Sequence, residues 1–303
     1  MTEYLETVAV SLHSYIHPQC PFCPGEEPLD YTTYPGEAND STSLGGIMED
    51  PETLTSKQGG CRQKDDPLSP RPGFFNNPCW GPKPKPRPNT EREPFTDEVE
   101  WGAYSYEPHH AVAGNEIMDG HPIEGYILMQ GRSTKGGGRG LLRKDTGYSI
   151  NNSDNGVWLP SIPERSKGGL WGTEGKNPVL SRGEKYEAAK LVMEAGEGQF
   201  HKGGHTIEDP TGHHRTYPAA GKALLQKVVD HLNLWVDKCF LCKDADPEEG
   251  PFPPPYKVNW YIDMCSRSLE AHIRAGVREW RFFISTLAMM YHRDGNCQCG
   301  PHT

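Results

Sequence analysis

Between Pro78 and Pro88 the chain places a proline at nearly every second position. Proline fixes its own φ and carries no amide hydrogen, so this stretch can be neither helix nor central strand. It reads as an extended, polyproline-type strap. Fifteen of the 28 prolines fall within residues 1–100, and the chain also holds 34 glycines. That loading excludes an all-helical bundle and a single smooth core, and calls for long loops. Such a strap serves either as a linker or as an arm lying across a catalytic domain, with Phe74, Phe75 and Trp80 as anchors.

Three segments follow from 303 residues and this pattern. They are an acidic, Pro-rich extension over 1–100, a core over 101–238 and a helical segment packed on it over 239–303. The core is rich in Gly, His, Asn and Trp, with short strand candidates at 125–130 and 156–159. Residues 183–195 are strong helix formers that stop at Gly196. Apolar residues recur at helical spacing from Pro218 to Lys238, and again from Val258 to His292. Together these give an α+β class. No apolar run reaches the ~18 residues a membrane span needs. The N-terminus lacks a basic patch followed by an apolar stretch, so no secretory leader is expected and a cytosolic origin is.

The formal charge is −10, yet it is unevenly placed. Residues 1–100 carry 17 acidic and 8 basic side chains, whereas 131–190 carry 11 Lys/Arg against 6 Asp/Glu. The basic stretch includes a Gly-rich loop with Lys135 and Arg139, followed by Arg143 and Lys144. These four suit contact with a phosphate backbone. The loop is not a nucleotide-binding P-loop, because the closing Gly-Lys-Ser/Thr is missing.

Thirteen histidines supply the candidate chemistry. His109 and His110 are adjacent, so at a strand end they point to opposite faces. His201 and His205 are four apart, a spacing that lets two rings reach one ion. Three imidazoles suit Zn²⁺ or Ni²⁺, and accept a harder ion when substrate oxygens join the shell. An uncoordinated imidazole beside the ion can take a proton from water. Cys20/Cys23 and Cys239/Cys242 are two CxxC pairs that could together form one structural Zn²⁺ site.

The ordered blocks Pro108-His109-His110-Ala111-Val112, Gly147-Tyr148-Ser149-Ile150-Asn151 with Asp154-Asn155-Gly156-Val157-Trp158-Leu159-Pro160, and His201-Lys202-Gly203-Gly204-His205-Thr206 resemble a known pattern. It is that of the AHH-type nucleases of the HNH/endonuclease VII superfamily. The resemblance spans roughly 105–235. It implies a ββα-metal core enclosing one divalent ion (Mg²⁺, Zn²⁺ or Ni²⁺). It makes His109, His201 and His205 the metal ligands, His110 the general base, and Asn155 the residue that orients His110. The chain departs from the pattern in having Pro108 before the His pair and a long gap between His110 and Gly147. It also has an insertion before Tyr217, which leaves His213 or His214 as an alternate ligand to His205. The family occurs in polymorphic and type VI secretion toxins. The resemblance therefore implies a DNase made in a bacterial cytoplasm and delivered by a secretion-system carrier, with an immunity protein as partner. Two other classes compete with it: a zinc-stabilised binding module without catalysis, and an RNase with the same site.

Overall fold

The computed structural model describes residues 20–22, 34, 40–49, 85–88, 104–162, 180–202, 207, 215–238 and 252–296. These residues combine helices with one small two-stranded sheet, an α+β arrangement. The helices are α1 (Ser41–Glu49), α2 (Arg182–Gly196), α3 (Tyr217–Lys238), α4 (Lys257–Ile273) and α5 (Thr286–Tyr291). The strands are β1 (Ser105–His110) and β2 (Gly156–Ser161). No helix among the described residues is long and apolar enough to cross a membrane.

β1 and β2 pair antiparallel, with His109 opposite Val157 and His110 opposite Gly156. Each strand carries a proline, Pro108 and Pro160. A two-stranded sheet tolerates both because every strand in it has an unpaired edge. All six residues of β2 are buried. Alternate side chains leave a strand on opposite faces. Val157 and Leu159 therefore enter one core with Ile117, Tyr217, Leu225, Ile262, Leu269 and Phe282. Trp158 enters a second core with Leu44, Met48, Tyr106, Val192, Phe200 and Phe283.

The N-terminal third contributes to that second core. α1 lies against β1 and β2, and Gly156 is where the two meet: a Cβ there would stand 2.3 Å from Met48 Sδ. Lys85–Pro88 runs beside α1, with the Trp158 Nε1–H donating to the Lys85 carbonyl at 2.7 Å. The Arg87 guanidinium sits 4.9 Å from the centre of the Trp158 ring. This described part of the strap is thus an arm across the sheet. Phe74, Phe75 and Trp80 lie outside the described residues.

α2 begins with a capping box. The Ser181 side chain accepts from Glu184 N–H while Glu184 returns a bond to the Ser181 amide, which satisfies two orphan donors. It ends beside Pro160, from which a Cβ on Gly196 would be 2.6 Å. The expected helix over 218–238 is α3, starting one residue earlier. The expected run from 258 to 292 is broken after Ile273 into α4, a 3₁₀ turn and α5. The 125–130 strand is instead a 3₁₀ turn, Pro122–Tyr126, followed by isolated bridges at Met129 and Gln130. Pro122 stands at its first turn and the His121 ring accepts from Ile123 N–H, so local capping decides the conformation.

Candidate active site

The site gathers at the end of β1. Glu107 and His109 are two apart and share a face. The His201 amide donates to the Pro160 carbonyl at 3.0 Å, which sets the His201 ring beside β1. The His109 and His201 rings are 5.2 Å apart, edge to face. His201 Nδ1 lies 2.8 Å from Glu107 Oε2, and Lys202 Nζ lies 2.8 Å from Glu107 Oε1. Burial would raise the Glu107 carboxyl, but hydrogen bonds from His201 and Lys202 outweigh it and hold the group near 2. Glu107 is therefore ionised at neutral pH and accepts the Nδ1 hydrogen, which leaves the His201 lone pair on Nε2. A histidine whose second nitrogen donates to a carboxylate is the common form of a metal-binding histidine.

His109 is fixed differently. Tyr217, the first residue of α3, is fully buried. Its hydroxyl donates to the carbonyls of His110, at 2.8 Å, and Ala111. Burial raises the Tyr217 pKa well above its usual value, so that proton stays in place. The oxygen is then the acceptor for His109 Nε2, at 3.2 Å. That assigns the hydrogen to Nε2 and the lone pair to Nδ1.

His110 is buried, with Nε2 2.8 Å from the Asn151 side-chain oxygen. With that amide oxygen as acceptor, Nε2 carries the hydrogen and Nδ1 keeps the lone pair. Burial lowers the His110 pKa, partly opposed by the Asn151 bond. The ring is therefore neutral at pH 7, the state a general base needs.

The expected bond from Asn155 to His110 is not made; Asn151 takes that position. The Asn155 amide is committed elsewhere. Its oxygen accepts from Val112 N–H at 2.7 Å and Ser266 Oγ at 2.8 Å, and its nitrogen donates to the Val112 and Ile150 carbonyls at 3.1 and 2.8 Å. These four bonds use the donors and acceptors of one amide. Asn155 instead ties the chain just after His110 to the loop before β2 and to α4.

No family model, curated protein or solved structure matches this chain.

The remaining expected ligands, His205 and His214 with His213, lie outside the described residues, as do Cys23, Cys239 and Cys242. Among the described residues no group of three or more His, Cys, Asp or Glu is placed to hold a metal ion. Two donors of the expected set, His109 and His201, do stand together. Cys20 is buried, and its carbonyl accepts from Lys257 Nζ at 3.4 Å.

Lys135, Arg139, Arg143 and Lys144 are all exposed. Of the three glycines between the first two, Gly136 and Gly138 have packing reasons, and Gly137 has a left-handed φ of 89°. A Cβ on Gly136 would stand 2.5 Å from Gly120 N, and one on Gly138 would stand 1.7 Å from Glu124 Oε2. The loop thus folds tightly over the buried Glu124, and its basic side chains project from a fixed base. Burial pushes the Glu124 carboxyl up to about 7, against hydrogen bonds from Thr134 and Gly120.

Glu107, Asn151, Lys202 and Tyr217 complete the site without having been assigned roles from sequence. Glu107 had a legible signal, since it sits two residues before His109 on a strand. Asn151 and Tyr217 stood in or beside the resembling blocks, but nothing local paired them with a histidine, because those contacts cross 41 and 108 positions.

Proposed function

We propose that the chain is a metal-dependent endonuclease of the AHH type that hydrolyses phosphodiester bonds in DNA, acting as a bacterial effector toxin. One observation carries the reading: a buried, neutral His110, held at Nε2 by Asn151, follows His109 on β1, and a carboxylate-backed His201 faces the His109 ring. That is the division of labour a one-metal hydrolase requires. His109 and His201 would hold the ion, with His205 or His214 as a further ligand. The ion would supply stabilising charge for the phosphate and the departing oxygen. His110 Nδ1 would take a proton from water as its oxygen bonds to phosphorus, and the P–O bond to the leaving sugar oxygen breaks. Lys135, Arg139, Arg143 and Lys144 would contact the backbone. An immunity protein and a secretion-system carrier belong to the same reading.

Cleavage of plasmid by the intact chain, with and without EDTA, tests it. Metal-dependent nicking is expected. No cleavage across Mg²⁺, Zn²⁺ and Ni²⁺ would overturn the proposal. RNA offered in parallel identifies an RNase. The burial of His109 and His110, 5% and 8% exposed, favours a second reading: a binding module in which the histidines serve packing and hold a static ion. That module retains metal and cleaves nothing.

A further inference from the structure

An oxygen-lined seam runs between α4 and the segment 146–154, apart from the histidines. Five buried oxygens in it have no hydrogen-bond partner among the described residues: Thr146 Oγ1, Tyr148 Oη, Ser153 Oγ, Asn259 Oδ1 and Asp263 Oδ1. Asn259 and Asp263 are four apart on α4 and so share a face. Asn259 Nδ2 donates to the Thr146 carbonyl at 2.9 Å, which sets that face against the segment. Thr146, Tyr148 and Ser153 are at most 2% exposed. The Asn152 side chain reaches towards both the Tyr148 hydroxyl and the Asp263 carboxyl, and the Ser266 side chain reaches towards Tyr148, so the orphaned atoms share one neighbourhood.

Buried polar atoms are almost always paired, and several orphans in one place mean that something else fills the space between them. Burial pushes the Asp263 carboxyl up to about 8, so it keeps its proton at neutral pH until a bound cation takes that proton's place. The neighbouring cations are already engaged. Arg267 makes two bonds to Asp154, at 3.0 and 3.3 Å, and Lys85 lies 2.6 Å from Glu270. The five orphans are all oxygens, the donor set of a hard cation and not of Zn²⁺.

We propose that this seam is a hard-cation site, with Asp263 as its charged ligand and the Tyr148 and Ser153 hydroxyls as neutral ones. Its place gives it a consequence. Asn152 caps the turn Ser153–Asn155 by accepting from Asn155 N–H at 3.0 Å, and the adjacent Asn151 holds His110. A cation bound here would stiffen the turn that orients the proposed base. That consequence rests on the nuclease reading; the binding itself does not.

The test is thermal unfolding of the chelator-treated full chain in CaCl₂, MgCl₂ or KCl at matched ionic strength. Ca²⁺ at saturating concentration should raise Tm by about 3–8 °C. Asp263→Asn should abolish that rise. A protein with both His109→Ala and His201→Ala should keep it, which separates this site from the histidine centre. Should Asp263→Asn not fold, Ca²⁺ titration calorimetry on the wild type and Tyr148→Phe replaces it, with at least ~10-fold weaker binding expected in the variant. No Tm response to any of the three salts in the wild type would show that the seam holds only water, and would overturn the proposal. So would an equal response in Asp263→Asn. A wild type that cleaves DNA but ignores Ca²⁺ sinks the seam alone, and one that binds Ca²⁺ but cleaves nothing sinks the nuclease alone.

Discussion

His109 stands on the sheet face shared with Glu107, Tyr217 and His201, whereas His110 stands on the face shared with Pro108 and Trp158. One is held through a phenol, with a carboxylate-backed imidazole facing it. The other is held through a neutral amide. A hydroxyl and an amide oxygen both fix a tautomer, but neither adds a charge that would protonate the ring. The Glu107 carboxylate is spent on His201 and Lys202, and the charges of Asp40 and Glu116 do not offset the burial that lowers His110. A strand's two-residue period thus gives adjacent, chemically identical side chains different partners and different tasks.

The largest effect that would break this comparison comes from the histidines themselves. His110→Ala should lower cleavage by about 10²–10⁴-fold while bound metal stays near wild type. His109→Ala should lower both, because it deletes a ligand. Metal content by elemental analysis, read beside cleavage rates, checks the split; equal loss of metal in the two variants would merge their roles.

Asn151 and Asn155 sharpen it further, since only one of them touches His110. Asn155→Ala leaves the backbone of Val112 and Ile150 short of partners, while the Ser266 hydroxyl falls back on the Ile262 carbonyl. It should cost about 2–4 kcal/mol of stability, measured by urea unfolding. Asn151→Asp should fold near normally. It places a carboxylate against His110 Nε2, raises that ring's pKa, and moves the acid limb of the cleavage profile to higher pH. An unchanged profile would remove Asn151 from the site.

A third effect is read in stability against pH. Glu107 is held near 2, below its ordinary 4.5. A depressed carboxylate contributes stability that is present above its unfolded value and is lost as pH falls through the folded one. Glu107→Gln should therefore flatten the dependence between pH 4.5 and 2, followed by urea midpoints across that range. Glu124 has the opposite sign. It is raised to about 7, so stability falls as pH climbs from about 4.5 to 7, and Glu124→Gln should flatten that limb.

The smallest change expected is at the sheet's other side. Gly156→Ala pushes a methyl against Met48 Sδ and Cγ and Leu44 Cδ1, at 2.3, 2.8 and 3.0 Å, so these α1 side chains must shift. A loss of about 1–3 kcal/mol is expected, with the His109 face unaffected in metal content.

What could be read beforehand tracks how local the cause is. α2 was legible from its helix formers, although Gly196 is its last helical residue and Glu197, not Gly196, takes the left-handed cap, and α3 was legible from its amphipathic spacing. α1 was not, because Gly45 and Gly46 are poor helix formers and the helix is held by packing on Pro108 and Trp158. The segment 125–130 reads as a strand from its apolar run, but Pro122 and the His121 cap impose a turn. The break after Ile273 falls at Arg274-Ala275-Gly276, inside a pattern that stays apolar on both sides. At the site, the His pair and His201 were legible as a group. The choice between Asn151 and Asn155 was not, since both lie in one loop and only the fold decides which amide faces the ring.

The burial of all six residues of β2 bears on how this chain folds. A strand sealed on both sides has no half-finished state in which one core stands alone, because each core lacks a wall until the other has formed. The two cores it joins draw on residues from Cys20 to Tyr291, so the rate-limiting step must close loops spanning most of the chain. Refolding should be slow and all-or-none across both cores, with Trp158 fluorescence and the amide exchange of Leu225 reporting the same rate.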